Sequence, residues 1–232
     1  MPRAIHTFVF ATALIATAPL SARGQSASPP QPAPAPHGSA GETIDGIAAR
    51  IEDDILTESE LRELAAFQQL VDGRSKPRAE LIRELADQWI VRGDANTAKS
   101  PRPAQADIDR AYSELAKHFN SPEEFRERRA AVGLTEAGIR RMLAEQIFLS
   151  RFIDFRFRPA AQISDEEIEK YYREEFAPQL KGRSEPVPPL EDVDDTIREV
   201  LIQRAISERA RKWLDETRDH LKIDVVDQGG GL

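Results

Sequence analysis

Acidic side chains form three short clusters in the sequence, Asp53-Asp54, Asp165-Glu166-Glu167 and Asp192 to Asp195. Paired carboxylates can perform acid–base chemistry where burial separates their pKa values. Each cluster falls at a predicted turn or helix N-terminus, where acids complement the helix dipole. None has the regularly spaced oxygen ligands and central glycine of a calcium loop. We interpret the clusters as helix caps and turns, with acid–base or hydrolytic chemistry as the alternative.

Four histidines and no cysteine are present, and the histidines are widely separated (His6, His37, His118 and His220). Without cysteine there is no disulfide, thiolate nucleophile or cysteine-bound metal. His118 and His220 fall near predicted helix ends, where a histidine is a dipole partner more often than a metal ligand. The sequence has neither a nucleophile elbow nor a glycine-rich phosphate loop. It therefore predicts no catalytic residue, no metal and no cofactor.

The net charge of −8 comes from 40 acidic and 32 basic side chains. A protein that binds nucleic acid needs a basic stripe to neutralise phosphates. The charge balance therefore argues against a nucleic-acid partner.

Aromatic residues are frequent between residues 148 and 176, and arginines lie among them. Most of these rings should be core, but a part left exposed in a concavity would bind apolar polypeptide, since the hydrophobic effect is not directional. Guanidinium groups would stack on such rings; the alternative for the arginines is a solvated helical face with acidic neighbours. The candidate polypeptide-binding residues are Phe155, Phe157, Tyr171, Tyr172, Phe176, Arg156 and Arg158.

The first 24 residues have the pattern of a secretory signal peptide. Arg3 precedes an uncharged apolar run at residues 8–20, and small residues precede a cleavage site after Gly24. An uncleaved anchor is the alternative. Residues 25–43 hold five prolines and predict an extended, disordered linker; a ligand for a proline-recognition domain is the alternative. We expect no membrane-spanning segment after the signal is removed.

Residues 44–226 predict a single, mostly α-helical domain. Thr57-Glu60, Ser121-Glu124 and Ser164-Glu167 have the spacing of capping boxes, and Thr135 begins a further helix. The sequence between 135 and about 157 is apolar on more than one side, so this helix should lie at the centre of the bundle. The segment 93–104 is polar and predicts a loop.

The ends of this domain are predicted to meet. Residues 47, 49 and 51 alternate with more polar positions, which favours a half-buried N-terminal strand. After a proline-rich loop at 177–190, a long helix should run from 191 to 220 and lead to a strand containing Ile223 and Val225. That strand would pair with the N-terminal one in a small antiparallel sheet. We expect residues 227–232 to form a flexible tail.

Five segments in this order resemble the SurA family of periplasmic chaperones. They are "IDGIAARIEDDILTESEL", "AELIRELADQWIV", "SPEEFRERRAAVGLTEAGIRRMLAEQIFLSRFIDFRF", "ISDEEIEKYYREEF" and "PPLEDVDDTIREVLIQRAISERARKWLDETRDHLKIDVV". The resemblance covers residues 44–226. It implies the fold of the family's N-terminal domain, closed by a long C-terminal helix and strand.

The chain departs from the family where a parvulin isomerase domain of about a hundred residues usually follows the fourth segment. Here only the proline-rich loop 177–190 stands in that place, and no histidine occurs between His118 and His220. No isomerase residue can therefore be carried over. The resemblance implies a chaperone module without isomerase chemistry.

By resemblance, the expected function is ATP-independent binding of unfolded polypeptides, outer-membrane proteins among them, in the periplasm. Two rival functions remain open: a scaffold for one folded envelope partner, and a degenerate peptidyl-prolyl isomerase. A fixed complex with little affinity for unfolded chains would indicate the scaffold, and a proline-peptide assay would detect the isomerase. We expect a monomer, or a dimer that exchanges its C-terminal helices.

Overall fold

A computed structural model describes residues 45–226; the predicted signal peptide, the predicted linker and the predicted tail lie outside this range. The described chain is mostly α-helical with a small antiparallel sheet, which confirms the predicted fold class. The strands are β1 (Ile47–Ile51), β2 (Asp54–Thr57) and β3 (Ile223–Val225). The helices are α1 (Glu58–Asp72), α2 (Arg78–Thr97), α3 (Gln105–Ala116), α4 (Pro122–Ala131), α5 (Glu136–Phe157), α6 (Asp165–Tyr171), α7 (Ala177–Gly182) and α8 (Leu190–Arg218).

The sheet has the strand order β2-β1-β3, so the N-terminal strand lies in the middle and the C-terminal strand pairs with it as predicted. Ala49 faces Val225 and Ile51 faces Ile223 across this antiparallel pair. The predicted alternation of buried and exposed residues along β1 was wrong at Ala48, because this residue is as fully buried as Ala49. The β1–β2 register shifts between residues 47 and 49, and such an irregularity lets two successive side chains enter the core.

Two predicted capping boxes are confirmed. At α1 the Thr57 hydroxyl accepts from the Glu60 amide while the Glu60 carboxylate accepts from the Thr57 amide, and Ser164 and Glu167 do the same at α6. Each box satisfies amides that have no partner within the helix. Thr135 also caps α5, through the Gly138 amide.

The third predicted box, at α4, is only half formed. Ser121 accepts from the Glu124 amide, but the Glu124 carboxylate accepts from the backbone and side-chain amides of Asn120 instead of the Ser121 amide. Asn120 offers the Glu124 carboxylate two donors, its backbone and side-chain amides, whereas a capping box would use only the Ser121 amide. The Ser121-Glu124 prediction was therefore wrong in its second half.

Two segments predicted as loops contain helix. α2 continues past Gly93 to Thr97, because one glycine inside a helix costs only about 1 kcal/mol and Ala95 is buried on the same helix. In 177–190, the short helix α7 follows a π-helical turn at 172–176, and an extended stretch then leads to α8. Pro178 lies in the first turn of α7, where its missing amide costs no hydrogen bond.

Three apolar clusters make the core of the described residues. The first packs the sheet against α1 and α2, the second joins α2, α5 and α8, and the third joins α1, α4 and α5. Because α5 contributes to two of these clusters and contacts α2, α3 and α8, its predicted central position is confirmed. The 29 residues of α8 extend over about 44 Å. Within residues 45–226, no helix combines the length and hydropathy needed to cross a membrane.

Phe148→Ala should lower the free energy of unfolding by about 3–5 kcal/mol, because a buried ring is removed from the cluster that joins α2, α5 and α8. Phe155→Ala is a matched control on the same helix, since Phe148 is 1% exposed and Phe155 is 72% exposed. The control should stay within about 0.5 kcal/mol of the unchanged protein. Urea unfolding followed by circular dichroism measures both, and equal losses would contradict the buried position of Phe148.

Candidate functional site

A groove with a volume of about 990 Å³ is lined by α1, α2, α5 and α8. On α1 the apolar lining residues are Leu64, Phe67 and Val71, whose spacing of three and four places them on one helical face. Leu64 is also part of the core, whereas Val71 is 38% exposed. The apolar face of α1 is therefore buried in the core at Leu64 and exposed in the groove at Val71.

The other helices complete an apolar lining. Met142, Leu149 and Ile153 are spaced seven and four residues apart on α5, so they form a second stripe. The remaining apolar lining residues, from α2 and α8, are Leu85, Val91, Ala210 and Leu214. A concave apolar surface of this size, with polar groups around it, is the usual form of a ligand-binding site.

Ion pairs connect the helices that line the groove. Arg141 of α5 binds the carboxylate of Glu63 on α1, and Glu145 of α5 accepts from Arg92 on α2. All four residues line the groove. These pairs therefore link α1 and α2 to α5 at the groove.

A charge cluster joins α2 to α8 beside the groove. The Nε atom of Arg218, whose side chain is 12% exposed, lies 2.9 Å from Oδ1 of Asp87 but is not aligned for a hydrogen bond. Arg218 donates instead to Asp215, which also accepts from Arg83 at 2.8 Å. Burial raises the pKa of Asp87 to about 6, against the opposing attraction of Arg218 and Arg83. The hydrogen bond from Arg218 lowers the pKa of Asp215.

The residues predicted from the aromatic cluster do not line this groove. At the end of α5, Phe155 is exposed, and the ring of Phe157 packs 5.7 Å from that of Trp213. The guanidinium of Arg156 lies 4.6 Å from the Trp213 ring centroid and pairs with Asp94 at 3.0 Å. Stacking of an arginine on aromatic rings thus occurs here, but the rings belong to the same chain.

Arg158 bridges two helices. Its guanidinium donates to Asp154 on α5 and to Glu199 on α8, with distances of 2.8 Å to each. These two carboxylates raise the pKa of the Arg158 guanidinium above its ordinary value. Its donors are thus directed at carboxylates of the same protein.

The tyrosines and Phe176 lie in a second group, next to α8. Tyr171 lies under the guanidinium of Arg204 at 4.7 Å, and the Tyr172 hydroxyl donates to the carbonyl of Pro188 at 2.8 Å. The rings of Tyr172 and Phe176 are stacked with centroids 5.9 Å apart. A role of these residues in binding polypeptide stays a prediction.

Acids of two clusters lie in the first turn of a helix, as the sequence indicated: Asp165, Glu166 and Glu167 in α6, and Asp192 in α8. Two acids of the clusters also contact residues that are distant in sequence. Asp54 accepts from the indole Nε1 of Trp89 at 2.8 Å, and Asp165 pairs with Arg198 at 2.8 Å. The backbone hydrogen bond from Ser164 lowers the pKa of Glu167. Within the described range, no group of three acidic or histidine side chains has an arrangement suited to a metal ion.

Both described histidines are helix-end partners, as predicted. The Nδ1 atom of His118 lies 2.9 Å from the carbonyl oxygen of Glu114, and Nδ1 of His220 lies 2.7 Å from that of Glu216. Carbonyl groups at a helix C-terminus have no partner within the helix and attract such donors.

The residues that line the groove were not recognised from the sequence as a site. The sequence signal for the α1 wall, an apolar stripe at helical spacing, was present, but a stripe of this kind looks the same whether it faces a core or a groove. The charged lining residues are spread over helices that the sequence does not place side by side.

No protein-family model matches the chain. The chain is 31% identical over 150 residues to the protein "Chaperone SurA" of Ralstonia nicotianae (strain ATCC BAA-1114 / GMI1000). The aligned region covers 61% of this chain and 30% of that protein, so the chain spans less than a third of this relative's length. The similarity confirms the SurA-like resemblance that the sequence indicated, and it covers the chaperone part of the relative without a catalytic parvulin domain.

Asp87→Asn should flatten the dependence of stability on pH. A folded pKa of about 6, above the ordinary 3.8, means that the native carboxyl holds its proton to higher pH than the unfolded one. Stability from this group is therefore highest at low pH and falls as pH rises from about 4 to 6, by at most about 3 kcal/mol. Urea unfolding at about pH 4.5 and pH 7 measures the difference between variant and parent.

The control is Asp195→Asn on exposed α8 surface, which should leave the pH slope unchanged. A slope unaltered by Asp87→Asn would contradict a raised pKa at Asp87. Asp87→Asn also removes the carboxylate beside Arg218 and so changes the free energy of unfolding at every pH. Only the difference between the changes at the two pH values therefore tests the raised pKa.

Proposed function

We propose that this protein is an ATP-independent periplasmic chaperone that holds unfolded polypeptides, outer-membrane proteins among them, and performs no isomerase chemistry. The observation that carries the proposal is the apolar groove of about 990 Å³ between α1, α2, α5 and α8. The similarity to "Chaperone SurA" supports a chaperone role. The predicted signal peptide supports export.

The groove suits a partner without fixed structure. Its volume is at the upper end of the ~300–1,000 Å³ typical of pockets for small molecules, so it has room for several side chains of an extended peptide. Apolar contacts are not directional and accept many sequences. Micromolar affinity corresponds to about −8 kcal/mol, which a few buried side chains can supply and which permits release without ATP.

The groove variant Val71→Ser/Met142→Ser tests this proposal because both side chains line the groove without being fully buried. The assay measures binding of residues 25–232 to a fluorescent outer-membrane barrel protein diluted from urea, with a folded soluble protein as the negative control. The variant should bind the unfolded chain about tenfold more weakly, since each lost apolar contact is worth roughly 0.8 kcal/mol or more.

The sheet variant Ile55→Ser/Val225→Ser is the matched control, since it removes two exposed apolar side chains outside the groove lining. It should bind like the parent chain. Equal weakening by both variants would contradict a role for the groove. If the protein binds one folded partner tightly and does not bind unfolded chains, the scaffold function is favoured instead.

Phe155→Ser tests whether the exposed ring at the end of α5 adds a second contact for the same clients. Phe155 is the most exposed of the large apolar side chains described, and the other predicted aromatic residues, Phe157, Tyr171, Tyr172 and Phe176, are only partly exposed. Its removal should weaken binding about threefold and leave the free energy of unfolding unchanged within about 0.5 kcal/mol. Unchanged affinity for the barrel protein in this variant would remove Phe155 from the binding surface.

A further inference from the structure

The apolar stripe of α1 is continued by a carboxylate in the groove. Asp72 is the last residue of α1, follows Val71, and lies eight residues after Leu64 on the same face. Glu80, in the first turn of α2, lines the groove as well. Both acids therefore line the same groove as the apolar face of α1, and Asp72 directly follows the exposed Val71.

The cations that line the groove are already paired. Lys76 lies 2.6 Å from Glu84, and Arg83 lies 2.8 Å from Asp215. The other two lining cations, Arg92 and Arg141, bind carboxylates of α5 and α1. No lining cation of the described chain is thus left to neutralise a further carboxylate.

Asp72 and Glu80 differ from the other acids of the lining. Within residues 45–226, neither carboxylate makes a hydrogen bond or ion pair, whereas every other lining carboxylate does. Asp72 also stands at the C-terminal end of α1, where the helix dipole disfavours an acid, and the last turn of α1 has no basic residue. Its position is therefore unfavourable for the stability of α1 alone.

We propose that the groove selects polypeptide segments in which a lysine or arginine lies beside apolar residues, with Asp72 and Glu80 binding the cation while the apolar lining takes its neighbours. This inference rests on the proposed function and specifies the client that the groove prefers. Charge complementarity favours such a segment over an acidic one, because an acidic client would approach two carboxylates, while each described cation of the groove lining already has a carboxylate partner.

The test uses three fluorescent peptides with a common core of leucine, phenylalanine and valine, flanked by lysine, glutamine or glutamate. Their binding to residues 25–232 is measured by fluorescence anisotropy at low and at high salt. The lysine peptide should bind about fivefold more tightly than the glutamate peptide at low salt, as expected for one or two exposed ion pairs. High salt should reduce this ratio towards one.

Asp72→Asn/Glu80→Gln should remove the preference for the lysine peptide while leaving the glutamine peptide bound as before. Glu191→Gln/Asp195→Asn is the matched control: it makes the same change in net charge at two exposed acids of α8 outside the groove. The control should keep the preference. Loss of the preference in both variants would assign it to the overall charge and overturn the inference.

Two further outcomes separate this inference from the proposed function. Equal binding of the lysine and glutamate peptides, with both weakened by Val71→Ser/Met142→Ser, overturns the charge preference and leaves the groove as the binding site. No binding of any peptide, together with no binding of the unfolded barrel protein, overturns both.

Discussion

The fold depends on the return of the C-terminal helix and strand to the N-terminal part of the chain. β3 supplies the second partner of β1, and α8 inserts Ile206 and Ala210 into the cluster that α2 and α5 form with it. Without α8, the α2 and α5 side of that cluster would face water, and each large side chain exposed there would cost roughly 1.5–3 kcal/mol. The same helix supplies Ala210 and Leu214 to the groove. The helix that closes the domain therefore also completes the groove lining.

Charged contacts set the geometry of this closure, while apolar contacts supply most of its free energy. The Asp87–Arg218–Asp215 cluster joins α2 to the last turn of α8, and burial of Asp87 raises its pKa to about 6. A buried carboxylate that is only partly compensated is unfavourable for stability by itself. Its arginine partner nevertheless restricts how α8 can lie on α2, because a displaced α8 would leave Asp87 without a cation. The contact between Asp87 and Arg218 thus favours one position of α8 on α2, although it adds little to the stability of their packing.

How much of this could be read from the sequence depends on the range of each interaction. The caps at Thr57 and Ser164 involve residues three positions apart, and the pairing of β1 with β3 follows from two short alternating runs, so both were predictable. The second half of the Ser121 cap was not, because Asn120 competes for the Glu124 carboxylate with two donors. The groove was not predictable either, since it needs the relative placement of four helices. Composition indicated an aromatic site, but those rings mostly contact partners of their own chain, such as Trp213 and Arg204.

An apolar groove in water tends to close on itself, because closure would bury the same surface that a client buries. The ion pairs Glu63–Arg141 and Arg92–Glu145 oppose this, since they hold helices at the separation of an extended arginine and a carboxylate. Further approach of the helices would have to break these pairs or bury charges without their partners, which costs more than an exposed pair contributes. Paired charges between the helices therefore add a small opposition to closure of the groove, since an exposed pair contributes about 1 kcal/mol or less.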